Sequence, residues 1–225
     1  MELKNFTIKN LIDYRRKSIR SRETFIKGFQ KYKISAESGG DYWISAVSAV
    51  SRTFKTNNKQ EITDKINVLI SDVENTIYSR TKLMYQRNLQ ILHTLEDFDF
   101  SILKPSIEVK FLKKPKILQI VEILDLPLKI TPTHVFVYED NGTTFIGGLW
   151  IACKLEGYSN SELATFTEAL YKYLEKNYSN EYVIDKRYCC SLDAFTGNVV
   201  NYEEIEDGST ESIFNSTIPM IKEAI

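Results

Sequence analysis

Asp193 is the one acid in the otherwise apolar run Cys189-Cys190-Ser191-Leu192-Asp193-Ala194. A carboxylate there either serves chemistry, as a catalytic or metal-holding group, or is held by a neighbour: Lys186, Arg187, or a turn that it caps. Glu139 and Asp140 offer two more carboxylates for a divalent cation, just ahead of Asn141-Gly142, although acids also favour turns. A second chemistry is phosphate contact. Arg15, Arg16, Lys17, Arg20 and Arg22 form the densest basic cluster. On a helix they spread around the axis, which suits contacts that position nucleic acid without reading its sequence. A solvated face, or pairing with the acidic C-terminal segment, is the other reading. Tyr14 and Phe25 flank the cluster and either stack on bases or pack in the core.

Other chemistries find little support. His93 and His134 have no Ser or Cys at a recognisable spacing, which argues against a nucleophilic dyad. Two histidines and no Cys-x-x-Cys exclude the common zinc patterns. Cys189 and Cys190 point to opposite faces of a strand and read as structural thiols. Ser38-Gly39-Gly40-Asp41 lacks the Gly-Lys-Thr/Ser ending of a phosphate-binding loop.

The elements that must position these residues change character along the chain. The first 33 residues favour helix, with Thr7 as N-cap and Ile8, Leu11, Ile12, Ile19, Ile26 and Phe29 inward. Ser35–Gly40 is loop. Trp43, Ala46, Val47, Val50 and Phe54 fall on one face of a second helix, ended by Thr56-Asn57-Asn58. A third helical region runs from Glu61 to Phe98. Its stripe Ile62, Ile66, Leu69, Ile70, Val73, Ile77 weakens later, and its length predicts a break near Arg87-Asn88. From Ser106 the pattern is β-branched and alternating, at Ile107–Phe111 and Ile117–Leu124. A boundary near residue 104 therefore divides a mainly helical region, 1–104, from an α/β region, 105–225.

Within the latter, Ile130–Glu139 and Thr143–Lys154 make a hairpin about Asp140-Asn141-Gly142. Val135, Val137, Phe145 and Leu149 lie on its buried faces. Gly147-Gly148 in mid-strand predicts a bulge or a close approach by another backbone. The helix Asn160–Asn177 follows. The chain returns through Tyr188–Ala194, a turn at Thr196-Gly197-Asn198, and Val199–Tyr202. Ser212–Ile225 reads as a last helix, weakened by Pro219. The fold class is α/β, or α+β by strict naming: an N-terminal helical region, then a mixed sheet with a ββαβ core.

Residues 128–202 resemble a family of uncharacterised prokaryotic proteins. The resemblance lies in Thr131-Pro132, Phe145-Ile146-Gly147-Gly148-Leu149, Tyr173-Leu174-Glu175 and Cys190-Ser191-Leu192-Asp193-Ala194-Phe195-Thr196-Gly197. The ββαβ order also resembles the PD-(D/E)xK nuclease superfamily. That resemblance implies Mg²⁺ held by two carboxylates, one on each of two strands, with a lysine two residues after the second acid helping the attacking water. The acid-x-Lys place falls here on Gly148-Leu149-Trp150. The expectation is thus a degenerate core, with no metal site and no cofactor. The functional expectation is a non-catalytic binding or assembly subunit. It would bind a protein partner or a second copy, and nucleic acid through the basic helix. A Mg²⁺-dependent nuclease using Asp193 and Glu139 is the alternative, and a purely structural interaction subunit is another.

Bulk composition bounds these readings. Hydrophobic residues at 43% and charged residues at 26% are ordinary for a globular chain. No apolar run approaches membrane-spanning length, and the first residues do not read as a signal peptide. An odd number of cysteines fits a reducing cytoplasm. The near-neutral net charge hides an asymmetry: ten Lys/Arg against three acids in residues 1–33, and one against six in residues 203–225. Such ends either meet each other or face charged partners.

Overall fold

The computed structural model describes Leu3 and residues 6–30, 42–113 and 119–225. Five helices come first: α1 (Ile8–Arg16), α2 (Ile19–Gln30), α3 (Ile44–Thr56), α4 (Gln60–Asn75) and α5 (Ser79–Glu96). Strands β1 (Lys110–Phe111), β2 (Ile120–Ile123), β3 (Leu126–Lys129), β4 (His134–Asp140) and β5 (Thr143–Ala152) follow. Helix α6 (Asn160–Tyr178) leads into β6 (Val183–Asp193), β7 (Val199–Asn201), α7 (Tyr202–Glu206) and α8 (Phe214–Glu223).

A five-stranded mixed sheet, ordered β1-β4-β5-β6-β7, forms the middle layer, and β2-β3 is a separate hairpin. Strands β4 and β5 are antiparallel, whereas β5 and β6, joined through α6, are parallel. Both faces are covered, so the central strands are apolar throughout instead of alternating with polar residues. Val135, Val137, Ile146 and Cys189 pack towards α1, α6 and α8. Phe136, Tyr138, Leu149, Cys190 and Leu192 pack towards α3, α4 and α5. The helices before residue 104 therefore lie on both sides of the sheet.

Local chemistry sets the helix ends. Thr7 and Asn10 form a capping box on α1, and Ser159 and Glu162 form one on α6. Asn57, in the left-handed region, ends α3. The β4–β5 turn has Asn141 at φ 49° and Gly142 at φ 78°, as a tight hairpin requires.

Several boundaries differ from the sequence expectation. The first helix is two, parted at Lys17-Ser18, and Ile19 is exposed. The break in the long helical region falls at Thr76–Tyr78 and not at Arg87-Asn88. Asn88 stays inside α5 because its buried amide is fully used. Its Nδ2 donates to Tyr42 O and Met84 O, and its Oδ1 accepts from Ala46 N at the start of α3. Strand β6 begins five residues earlier than expected. Strand β2 lies within the expected Ile117–Leu124 strand, whereas its hairpin partner β3 and the short α7 were not expected. Pro219 is accommodated within α8, whose Phe214, Ile218 and Ile221 are buried. The Ser35–Gly40 loop, and the start of the Ile117–Leu124 strand, lie outside the described residues.

Candidate functional site

The two strand glycines show what has become of the acid-x-Lys place. Between Ile146 and Gly148 the β5–β6 register slips: Ile146 faces Ile184, but Gly148 faces Cys189. This bulge in β6 brings the Tyr188 carbonyl against β5. A Cβ on Gly147 would sit 2.8 Å from Tyr188 O and 2.9 Å from the Phe136 ring. A Cβ on Gly148 would meet a Leu170 methyl at 3.0 Å and His134 O at 3.1 Å. Any acid at 148 would point into the interface with α6. Trp150 packs edge-on against Phe166 of α6, with ring centroids 5.2 Å apart. Helix packing thus occupies both positions.

Asp193 is fully buried at the end of β6. Its Oδ2 accepts from Tyr158 N at 2.8 Å and Thr196 Oγ1 at 3.0 Å, and its Oδ1 accepts from Phe195 N at 2.9 Å. Gly157, at φ 73°, leaves room for that carboxylate: a Cβ there would lie 2.5 Å from Oδ2. Asp193 therefore ties the loop before α6 to the turn after β6. Of the readings open from sequence, the turn cap is the one this geometry matches. Lys186 pairs instead with Glu206, and Arg187 with Asp185.

Glu139 and Asp140 are exposed at the far tip of the hairpin. Glu139 faces Thr144, whereas Asp193 faces Ala152. Eight residues of β5 separate these levels, about 26 Å at strand rise. The two carboxylates cannot share one cation. Among the described residues no three His, Cys, Asp or Glu side chains gather as metal ligands would.

The bulge carries a buried carboxylate that sequence reasoning missed. Asp185 accepts from Tyr138 OH and, in bidentate fashion, from Arg187 Nε at 3.0 Å and Nη2 at 2.7 Å. Burial pushes its pKa up, but the bonds from Arg187 and Tyr138 outweigh that and hold it below the ordinary value. The visible signal was only Asp-x-Arg; the long β6 and its slip were not legible.

Ser51 Oγ and His134 Nε2 lie 2.7 Å apart, although 83 positions separate them in the chain. The His134 ring sits 5.3 Å from both Phe54 and Phe111. Ser51 is in mid-helix, where backbone N–H groups already serve the helix and none is aimed at a developing oxyanion. The bond pins α3 to β4.

The basic cluster lies around the α1–α2 corner. Arg16 donates to both oxygens of Glu162 and, at 3.3 Å, to Gly157 O. Burial pushes Glu162 up, but Arg16 and the Ser159 backbone hold it below its ordinary pKa. Arg15 reaches Ser216 O at 3.3 Å and Met220 Sδ at 3.5 Å on α8. Arg22 donates to Tyr14 O and Arg15 O and lies over the Tyr14 ring. Lys17 lies over the Phe25 ring, which also packs in the core with Tyr14. Arg20 is exposed. The chain ends do meet, α1 against α8, but through backbone carbonyls and the Met220 sulfur, with no ion pair between these two helices among the described residues. Arg15, Lys17, Arg20 and Arg22 have no carboxylate partner among the described residues.

No helix among the described residues is long and apolar enough to cross a membrane. No protein-family model, curated protein or solved structure matches the chain.

Proposed function

We propose that this chain is a non-catalytic binding subunit that holds nucleic acid by its phosphates, through the α1–α2 corner, on a core ordered like that of the PD-(D/E)xK nucleases. The observation that carries the reading is the charge state of that corner. Of four cations within eight residues, Arg15, Lys17 and Arg22 make contacts that fix their stems and direction but do not neutralise them, and Arg20 is exposed beside them. Hydrogen bonds to carbonyls leave a guanidinium its full charge, which phosphates can then meet. The absence of catalysis in this reading is supported by the packing at Gly148 and Trp150 and by the commitment of Asp193 to three donors. The purified chain should leave DNA and RNA uncut with Mg²⁺ or Mn²⁺ while binding a labelled duplex at low salt. Cleavage that Asp193→Asn abolishes would favour the nuclease alternative.

A second reading, assembly with another copy, rests on the tip joining α4 and α5, where Ile77 and Tyr78 are 88% and 69% exposed. Sedimentation of the parent chain and of Ile77→Ser/Tyr78→Ser tests it. A dimer that dissociates in the variant supports assembly, and a parent monomer at all concentrations removes it.

A further inference from the structure

Between α1, α3, β5 and α6 lies a cavity of about 320 Å³, at the lower end of the range for ligand pockets. It opens where β5 ends, at the carboxyl edge of the one strand that pairs in parallel with β6. Open α/β sheets bind ligands outside the carboxyl ends of their parallel strands. Four aromatic side chains line it: Trp43, Trp150, Tyr158 and Phe166. Two amines join them, Lys9 from α1 and Lys129 from β3, and no acid is among the described residues that line it. Neither lysine is paired with a carboxylate among the described residues. The Trp150 and Tyr158 rings are both set against Phe166, each with centroids 5.2 Å away, so that wall is held by packing.

Aromatic walls take a flat ring by stacking, and unneutralised amines take an anion. We infer that this cavity binds a mononucleotide, with the base against the tryptophans and the phosphate facing Lys9 and Lys129. The inference does not depend on the α1–α2 corner binding nucleic acid.

The chain has only two tryptophans, and both line the cavity. Their emission therefore reports on it directly. The full chain is titrated with AMP, GMP, CMP and UMP, with tryptophan emission corrected for nucleotide absorption. At least one should quench saturably. The corresponding nucleoside should bind at least about tenfold more weakly, since it lacks the charge-assisted bonds to the amines. Lys9→Gln/Lys129→Gln should weaken the nucleotide by a similar factor or more, with an unchanged circular dichroism spectrum. Absence of saturable quenching by all four nucleotides overturns the inference. So does equal affinity for nucleoside and nucleotide in the unmodified chain, a result that needs no variant to fold.

Discussion

Replacing Asp193 with Asn keeps the shape of the side chain and removes one acceptor. The amide oxygen is best placed at Oδ2, where it still serves Tyr158 N and Thr196 Oγ1. The NH₂ then faces the Phe195 N–H, donor against donor, in a fully buried place. A buried donor left without a partner costs about 1–3 kcal/mol. Asp193→Asn should therefore destabilise by about 2 kcal/mol. For a chain of this size that lowers Tm by about 4–8 °C. Asp193→Ala leaves all three donors unmet and should cost about 4 kcal/mol or more, within the range for breaking a buried network. Urea unfolding followed by circular dichroism measures both, with the midpoint moving and the slope unchanged. A catalytic carboxylate gives the opposite pattern, because strained functional groups often cost stability. If Asp193→Asn leaves the midpoint unchanged or raises it, the structural assignment of Asp193 is wrong.

Further consequences concern the core and its charges. Gly147→Ala should destabilise by about 1–3 kcal/mol, because its Cβ meets a backbone carbonyl and a confined ring. Gly148→Ala should cost less, since Leu170 can shift its methyl; thermal melts of the pair give the order. Arg16→Ala should cost about 2 kcal/mol by urea unfolding, less than for a fully buried pair because the arginine is one-third exposed. Glu162 has a folded pKa below its unfolded value, so its stabilising share is complete above the unfolded pKa, about 4.3, and fades as pH falls through the lower folded one. Without Arg16, burial dominates at Glu162 and raises its folded pKa, so Arg16→Ala should lose its stability at neutral pH and flatten the acid limb of the profile. Asp185→Asn should likewise flatten the acid limb of the stability profile, since Asp185 too is held below its ordinary pKa.

The sequence made the ββαβ order legible because its signals are local. Asn141-Gly142 demands a tight turn, Ser159 or Ser161 stands near a helix start, and the Leu163, Phe166, Leu170, Tyr173 face is periodic. Gly147 announced a close backbone approach, and the Tyr188 carbonyl supplies it. What stayed hidden depends on partners far along the chain. Asn88 looked like a helix breaker because a polar residue in an apolar stripe gives no hint of the α3 N–H that it satisfies. Ser51 and His134 have no common motif, and only the packing of α3 on the sheet joins them. The unbroken apolar character of β4 and β5 also concealed which face meets α6. Arg16 read as one of five equivalent cations, and only the fold shows it spent on Glu162.

The central claim is that the α1–α2 corner binds nucleic-acid phosphates through four cations that the protein leaves without a carboxylate partner among the described residues. Its most direct test is the salt dependence of affinity for a short labelled duplex, read by fluorescence anisotropy. If all four cations contact phosphates, the slope of log K against log salt should be about −3.6, a loss of about 150-fold between 50 and 200 mM. Arg15→Gln/Arg20→Gln should reduce the slope to about −1.8, whatever the sequence of the duplex. No binding at low salt, or an unchanged slope in that variant, would contradict the account.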